Sequence, residues 1–380
     1  MNKLEKYLLY LTIFLVPVAF ANLFSNFFDI PKLLVLALGV ALTLFLVALR
    51  TLLGGKLTVG LSNFDFPLLL LLATYLLSAF IKTPNKMDAF FFPGTATVVS
   101  ASVLLYFLVN LVGANKKALG TTLFLSGTVA SVFYLLATAG ILARIPLLPQ
   151  FVKDISFSPL GGLLPQALFL GILLPLGIAL VLTEKEAIKK LFYAASLAVS
   201  SLAVAVTIFN ILPGKPNSPA LPPYQTSWAV AIESLKVSPL LGVGPGNYLT
   251  AFSQFKPLSY NATPLWAVRF TTATNFPLTA LAEAGLLALA ALVLVYWKVL
   301  KGLAEKLSGG FDYEKGLFAS LVLSLVLLFI FPASIPLLVL TFVLLAANAK
   351  VHEVVIPLSA GGTVGSRLPA AILTLPVIIG

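Results

Sequence analysis

Three groups of residues in this chain are of types and spacings that can do chemistry. In VSPLLGVGPGNYLTAFSQF, residues 237–255, Gly242, Gly244 and Gly246 alternate just before Asn247. Glycines so placed let backbone amides approach a ligand closely, or simply make tight turns. No Gly-Lys-Ser/Thr follows them and no hydrophobic strand leads in, so neither a Walker loop nor a dinucleotide fingerprint is present. The second group is a helix start at Thr274–Pro277, where Thr274 or Asn275 can cap and Pro277 suits the first turn. Free amides at such a start favour anions, phosphate among them. The third group is ionisable. Glu283 lies two turns inside the next apolar run, on the face shared by Asn275 and Thr279. A charge within a membrane span marks a functional site by default, and the alternative is an ion pair bracing a helix bundle.

Arg269 is the one arginine between residues 213 and 275, and its planar fork matches two phosphate oxygens. Lys256 is the second candidate in that stretch, which also holds Lys215 and Lys236, and Arg144 and Lys153 belong to an earlier loop. Each lysine suits a lipid headgroup equally well. Cysteine is absent, which excludes disulfides and thiolate metal sites, and no metal site is expected. The single histidine, His352, follows a late helix and reads as a solvated juxtamembrane residue.

The elements that must position these residues are membrane helices. The 380-residue chain is 59% hydrophobic and only 10% charged, against about 25% charged in soluble domains. Apolar runs place helices at 7–22, 31–50, 62–81, 96–114, 120–142, 160–182, 191–212, 276–297, 316–332 and 335–349, because only a helix satisfies its own backbone in lipid. A last run from Leu368 to Gly380 is too short to span, and reads as a truncated or incomplete eleventh helix. The expected fold is therefore an all-α integral membrane bundle of 10–11 helices. It divides into N-terminal helices (1–212), one large extracytoplasmic loop (213–275) and C-terminal helices (276–380).

The net charge of +11 fits cytoplasmic retention of Lys and Arg better than nucleic-acid binding. With the N-terminus inside, Lys3, Lys6, Arg50, Lys56, Lys116, Lys117, Lys185, Lys189, Lys190, Lys298, Lys301, Lys306, Lys315, Lys350 and Arg367 face the cytoplasm. The short outer loops then hold only Lys32, Lys82, Lys86, Arg144 and Lys153. Within 213–275, SWAVAIESLK puts Trp228, Ile232 and Leu235 on one helical face, which suits a membrane surface or packing over the bundle. Tyr248, Phe252, Phe255, Tyr260 and Trp266 suit either sugar stacking or the lipid interface.

The order SWAVAIESLKVSPLLGVGPGNYLTAFSQFKP, YNATPLWAVRF, TNFPLTALAEAGLLAL resembles the O-antigen ligase and polymerase superfamily. Pro239 to Gly242, Gly244, Gly246 and Asn247 match its periplasmic-loop motif, and Asn275, Leu278, Glu283 and Gly285 match the helix that follows. The resemblance implies a bacterial inner-membrane, GT-C type glycosyltransferase. Such enzymes transfer a glycan from a polyprenyl (undecaprenyl) diphosphate carrier to a lipid, glycan or protein acceptor on the outer face. They use no nucleotide sugar and generally no metal or other cofactor. For that chemistry the expected catalytic residues are Arg269, whose fork would meet the diphosphate, and Glu283, where the family keeps an acidic residue without its catalytic role being implied. Lys256, Thr274, Asn275, Gly244, Gly246, Asn247 and Arg144 are the expected substrate-binding residues. Thr274 stands where many members carry histidine. Two alternatives accompany this reading: a transporter or flippase, and a non-catalytic member that binds lipid-linked glycan.

Overall fold

The computed structural model describes residues 2–303 and 310–357. In chain order it contains α1 (Asn2–Val18), α2 (Asp29–Gly54), β1 (Lys56–Leu61), α3 (Asp65–Ile81), α4 (Lys86–Phe90), α5 (Thr95–Leu111) and α6 (Lys116–Thr138). There follow α7 (Leu163–Thr183), α8 (Ala187–Ile211), α9 (Tyr224–Val237), α10 (Tyr248–Phe255), α11 (Phe276–Lys301), α12 (Tyr313–Ile330), α13 (Ile335–Asn348) and β2 (His352–Pro357). Each of the ten expected helices has a counterpart, in α1 to α3, α5 to α8 and α11 to α13. Among the described residues seven helices, counting α4 and α5 as one, are long and apolar enough to cross a membrane, and α3 and α13 are apolar but shorter. The chain is a mostly helical protein of multi-pass membrane type. The run from Leu368 lies outside the described residues.

The centre of the bundle is α13, whose every residue is buried. At 1.5 Å per residue its 14 residues cover about 21 Å, less than the ~30 Å of a hydrocarbon core. It need not meet lipid at all, because α1, α2, α5, α6, α7 and α12 sheathe it. That explains why α13 is apolar all round rather than along one stripe. Small residues let the sheath close. A Cβ on Gly316 of α12 would fall 2.2 Å from the Ala179 Cβ of α7, so the two backbones meet where glycine stands.

Polar contacts divide the bundle into two faces. On one, Glu5 of α1 pairs with Arg50 of α2 at 2.8 Å, Lys116 with Glu314 at 3.5 Å and Lys117 with Glu184 at 3.0 Å. The same face carries a feature missed by the all-α expectation. β1 and β2 pair antiparallel, in a register running from Lys56 opposite Pro357 to Leu61 opposite His352. Both strands are rich in β-branched residues, yet six residues each are too short to stand out beside long apolar helices. His352 thus begins a strand and is exposed. We call this the strand face.

The opposite face is held by Lys32, which is fully buried. Its ammonium donates to the carbonyls of Ala19 at 2.8 Å, Phe28 at 3.4 Å and Pro159 at 2.6 Å. It therefore serves as a cap on the end of α1 and a pin for the loop before α7, not as a surface charge. Residues 213–275 fold on this face, which we call the loop face.

The strand pairing is directly testable, because the chain has no cysteine of its own. Thr58 lies opposite Val355, so the double variant Thr58→Cys/Val355→Cys should be joined by a short bifunctional thiol reagent. Thr58→Cys/Val354→Cys should be joined far less, since adjacent strand residues point to opposite sides. Equal yields from the two pairs, read as a gel shift after proteolysis between the cysteines, would refute the register.

Candidate functional site

The site is organised by a break in α11. Gly285 has φ 74° and ψ −164°, which interrupts the helical hydrogen bonds. The glycine-rich segment fills the gap with its own backbone. The Val243 and Gly244 amides donate to the carbonyls of Ala282 and Glu283, each at 2.9 Å, and the Leu286 amide donates to the Pro239 carbonyl at 2.9 Å. There is no space for side chains here. A Cβ on Gly242 would lie 2.3 Å from the Ala282 oxygen, and one on Gly285 would lie 2.4 Å from the Leu240 carbonyl carbon. Both residues also have positive φ, a region that side chains disfavour.

Two hydroxyls from the end of α3 and the residues after it lock the segment from behind. Ser78 donates to the carbonyls of Leu241 at 2.6 Å and Glu283 at 2.9 Å, and Thr83 donates to Pro245 at 2.9 Å. Nothing in the sequence singled out these residues. The only signal was a small hydroxyl residue within an apolar run.

Glu283 is 1% exposed. Its Oε1 accepts the Gly246 amide at 3.0 Å. The Thr95 hydroxyl and the Tyr248 amide face the carboxylate, but Oε2 and the Thr95 hydroxyl do not close into a hydrogen bond. No cation pairs with Glu283 among the described residues, so it is not a bracing ion pair. Its carboxylate pins the glycine-rich segment against α11. The amides that composition offered to a ligand are spent inside the chain in the same way: Gly244 on Glu283, Gly246 on the Glu283 side chain, and Asn247 on the Gly244 carbonyl.

The start of α11 is equally committed. Asn275, not Thr274, is the cap: its Oδ1 accepts the Leu278 amide at 3.0 Å, and its Nδ2 donates to Phe329 at the end of α12 at 2.8 Å. Asn275 is 5% exposed and Phe276 and Leu278 are buried, so the helix start is not open to a phosphate. Thr274 bonds to α9 and the loop before it. Its amide and hydroxyl meet the Ser227 hydroxyl at 3.0 and 2.8 Å, and its hydroxyl donates to the Pro222 carbonyl at 2.6 Å. Ser227 therefore belongs to this framework although its residue type gave no indication.

Between these anchors the segment has its own small core. Tyr248, Phe252 and Tyr260 are buried there beside Val230 and Leu281, which removes them as sugar-stacking surfaces. Burial raises the Tyr248 hydroxyl above the ordinary tyrosine range, and the nearby Glu283 charge adds to the shift. Tyr260 donates to the carbonyls of Leu265 and Val268 at 2.6 and 2.8 Å, closing the turn that leads to Arg269. On α9 the buried face is Thr226, Ser227, Val230, Ala231 and Ser234, packed on α11. Trp228 points away and is 49% exposed, as a residue at headgroup level would be.

The cations lie on the surface of this framework. Arg269 is exposed with no acidic partner among the described residues. Lys256 is half-buried at the end of α10, with its ammonium 5.1 Å from the Tyr260 ring centroid. Arg144 is exposed in a 3-10 turn between α6 and α7. The structure thus gathers Thr274, Asn275, Gly244, Gly246, Asn247 and Glu283 around the first half of α11, and leaves Arg269, Lys256 and Arg144 facing outward.

The pin makes a clean prediction. Glu283→Gln keeps an oxygen for the Gly246 amide and should melt within a few degrees of the wild type. Glu283→Ala leaves that buried amide unpaired, at a cost of about 1–3 kcal/mol, and Gly285→Ala adds the backbone clash. Both should lower the thermal midpoint of the purified protein in detergent by several degrees. A Glu283→Ala protein as stable as Glu283→Gln would show that the carboxylate does not hold the segment.

No protein-family model matches this chain, and no curated protein matches it.

Proposed function

We propose that the chain is an O-antigen ligase-like glycosyltransferase of the bacterial inner membrane. It would transfer a glycan from a polyprenyl diphosphate carrier to a lipid, glycan or protein acceptor at the outer face. The observation that carries this reading is the charge of the loop-face segment. Its only carboxylate, Glu233, is paired with Lys236 at 2.6 Å. Of the other cations, Lys215 lies over the Phe209 ring at the end of α8. Lys256 and Arg269 are left as positive charge with no acid ion-paired to them among the described residues, on a scaffold fixed by α11. A diphosphate is the ligand class such a surface attracts, and its negative charge grows as the sugar departs, so preset cations act where they matter most. The residue resemblance between 228 and 286 supports the same class.

In the transfer, the acceptor hydroxyl oxygen bonds to the anomeric carbon as that carbon's bond to the phosphate oxygen breaks. The bonding pair leaves on the diphosphate, where Arg269 and Lys256 compensate the charge. The hydroxyl proton departs late, to water or to the released diphosphate. No titratable group stands at Thr274, whose hydroxyl is tied to Ser227 and Pro222. General acid–base groups contribute typically ~10²–10⁴-fold, so a site without one is slow rather than inert. Glu283 then acts as a positioning residue, through the segment it pins.

The broken helix α11 favours a second reading, since transporters bind substrates at discontinuous helices. Here the groups freed on both sides of Gly285 are taken up by residues 239–244, which leaves little for a transported ion to bind.

The assay is transfer and donor binding by the purified full chain in nanodiscs, with a lipid-linked glycan as donor. Arg269→Ala should weaken donor binding about ten- to a hundredfold, the worth of a hydrogen bond to a charged group. Arg269→Lys should recover only part, because the fork is lost. Unchanged binding in Arg269→Ala would remove the arginine from the phosphate. Donor binding by the wild type without transfer to any acceptor class would favour the non-catalytic member.

Orientation is tested separately in intact cells. Cysteines at the exposed Ser218 and Ser259 should react with an impermeant thiol reagent added outside, and one at the exposed Lys185 only after lysis. The reverse pattern would put the segment in the cytoplasm and end the proposal.

A further inference from the structure

An open, shallow cavity of about 670 Å³ lies between the turn after α1 and the loop joining α6 to α7. One wall is aromatic. Phe27 and Phe151 stack with centroids 4.6 Å apart and planes 23° from parallel, and Phe27 remains 36% exposed. Phe151 is fixed from behind, because Phe20, Phe28 and Phe157 meet it edge-on at 6.1, 5.9 and 6.0 Å. The wall is therefore set before any ligand arrives.

Pro149 adds to the apolar side, and the rest of the lining is polar: Asn22, Gln150, Lys153 and Asp154. Lys153 is engaged, donating to the Pro146 carbonyl at 3.2 Å. Asp154 takes the Ser156 amide and hydroxyl on Oδ1 at 2.7 and 2.6 Å. Those bonds hold its carboxyl below the usual carboxylate range, and Oδ2 has no partner among the described residues. The exposed amides of Asn22 and Gln150 have none either.

We propose that this cavity binds a sugar unit of a glycan, as a subsite away from the reacting carbon. A pyranose ring has an apolar C–H face, which suits the exposed ring of Phe27 backed by Phe151, and a rim of hydroxyls. Planar amides and a carboxylate oxygen can each bond to hydroxyls on that rim. Other ligands fit worse. An acyl chain would leave two amides and a carboxylate unpaired, and a phosphate would meet the Asp154 charge. The proposal rests on the glycan-transfer reading for the source of the sugar, as the donor's or the acceptor's glycan, and on the cavity alone for its chemistry.

The test is binding of carrier-free oligosaccharides to the full chain in nanodiscs. The probe is a printed array of hexose and N-acetylhexosamine oligomers, followed by titration with the strongest binder. Phe151→Leu should weaken binding about tenfold, since it keeps the apolar volume and loses the ring. Gln150→Ala should weaken it about three- to tenfold, and because that side chain is exposed it leaves the fold intact. The proposal is overturned if the wild type binds no oligomer, or if Phe151→Leu and Gln150→Ala both bind as tightly as the wild type. Sugar binding that depends on Phe151 and Gln150, in a protein that transfers nothing, would remove the transferase reading and leave this one standing.

Discussion

The loop face depends on one exchange of hydrogen bonds, in which residues 239–244 supply the partners that α11 loses at Gly285. A helix that breaks within a membrane exposes carbonyls and amides that lipid cannot satisfy. Here a neighbouring piece of backbone satisfies them, so the break and the glycine-rich segment exist only together. Neither can shift without leaving the other unpaired. Ser78, Thr83 and Glu283 reinforce the exchange from three directions, and each spends a side-chain polar group on backbone.

This exchange turns a long connection into a platform. A stretch of 63 residues between spans would ordinarily be mobile. Instead α9 lies along α11, Tyr248 and Phe252 give the stretch a core, and Tyr260 closes the turn before Arg269. The arginine is thus carried on packed structure while its side chain stays in solvent. On the strand face, ion pairs and a short two-stranded sheet bind loops from several helices. The buried α13 passes between the two faces and touches most of the elements that carry them.

Much of this was legible from residue order. The ten helices follow from apolar runs, because hydrocarbon imposes a length that few sequences meet by chance. Gly285 was visible too, but a lone glycine in an apolar run is often tolerated without a break. What converts it into one is a partner some forty residues earlier, and no local pattern encodes that pairing. The glycines at 242, 244 and 246 were recognised as places of close backbone approach. The object approached proved to be the chain itself. Asn275 as a cap was readable from Pro277 and the helix start, whereas its second bond to Phe329 was not. Lys32 looked like a surface charge because nothing in sequence reveals that three carbonyls converge on it.

The β1–β2 pair joins one strand to another made long after it in synthesis. At ~5–20 residues per second, the roughly 300 residues between them take about 15–60 s to appear. Through that time β1 is an unpaired edge, with its amides and carbonyls open to whatever comes near. β2 can meet it only after α13 has entered the centre of the bundle and its far end has returned to the strand face. Closure of this small sheet therefore requires that α13 has taken its place in the bundle. A chain in which α13 had not docked would keep that first edge open, as a template for pairing with another strand.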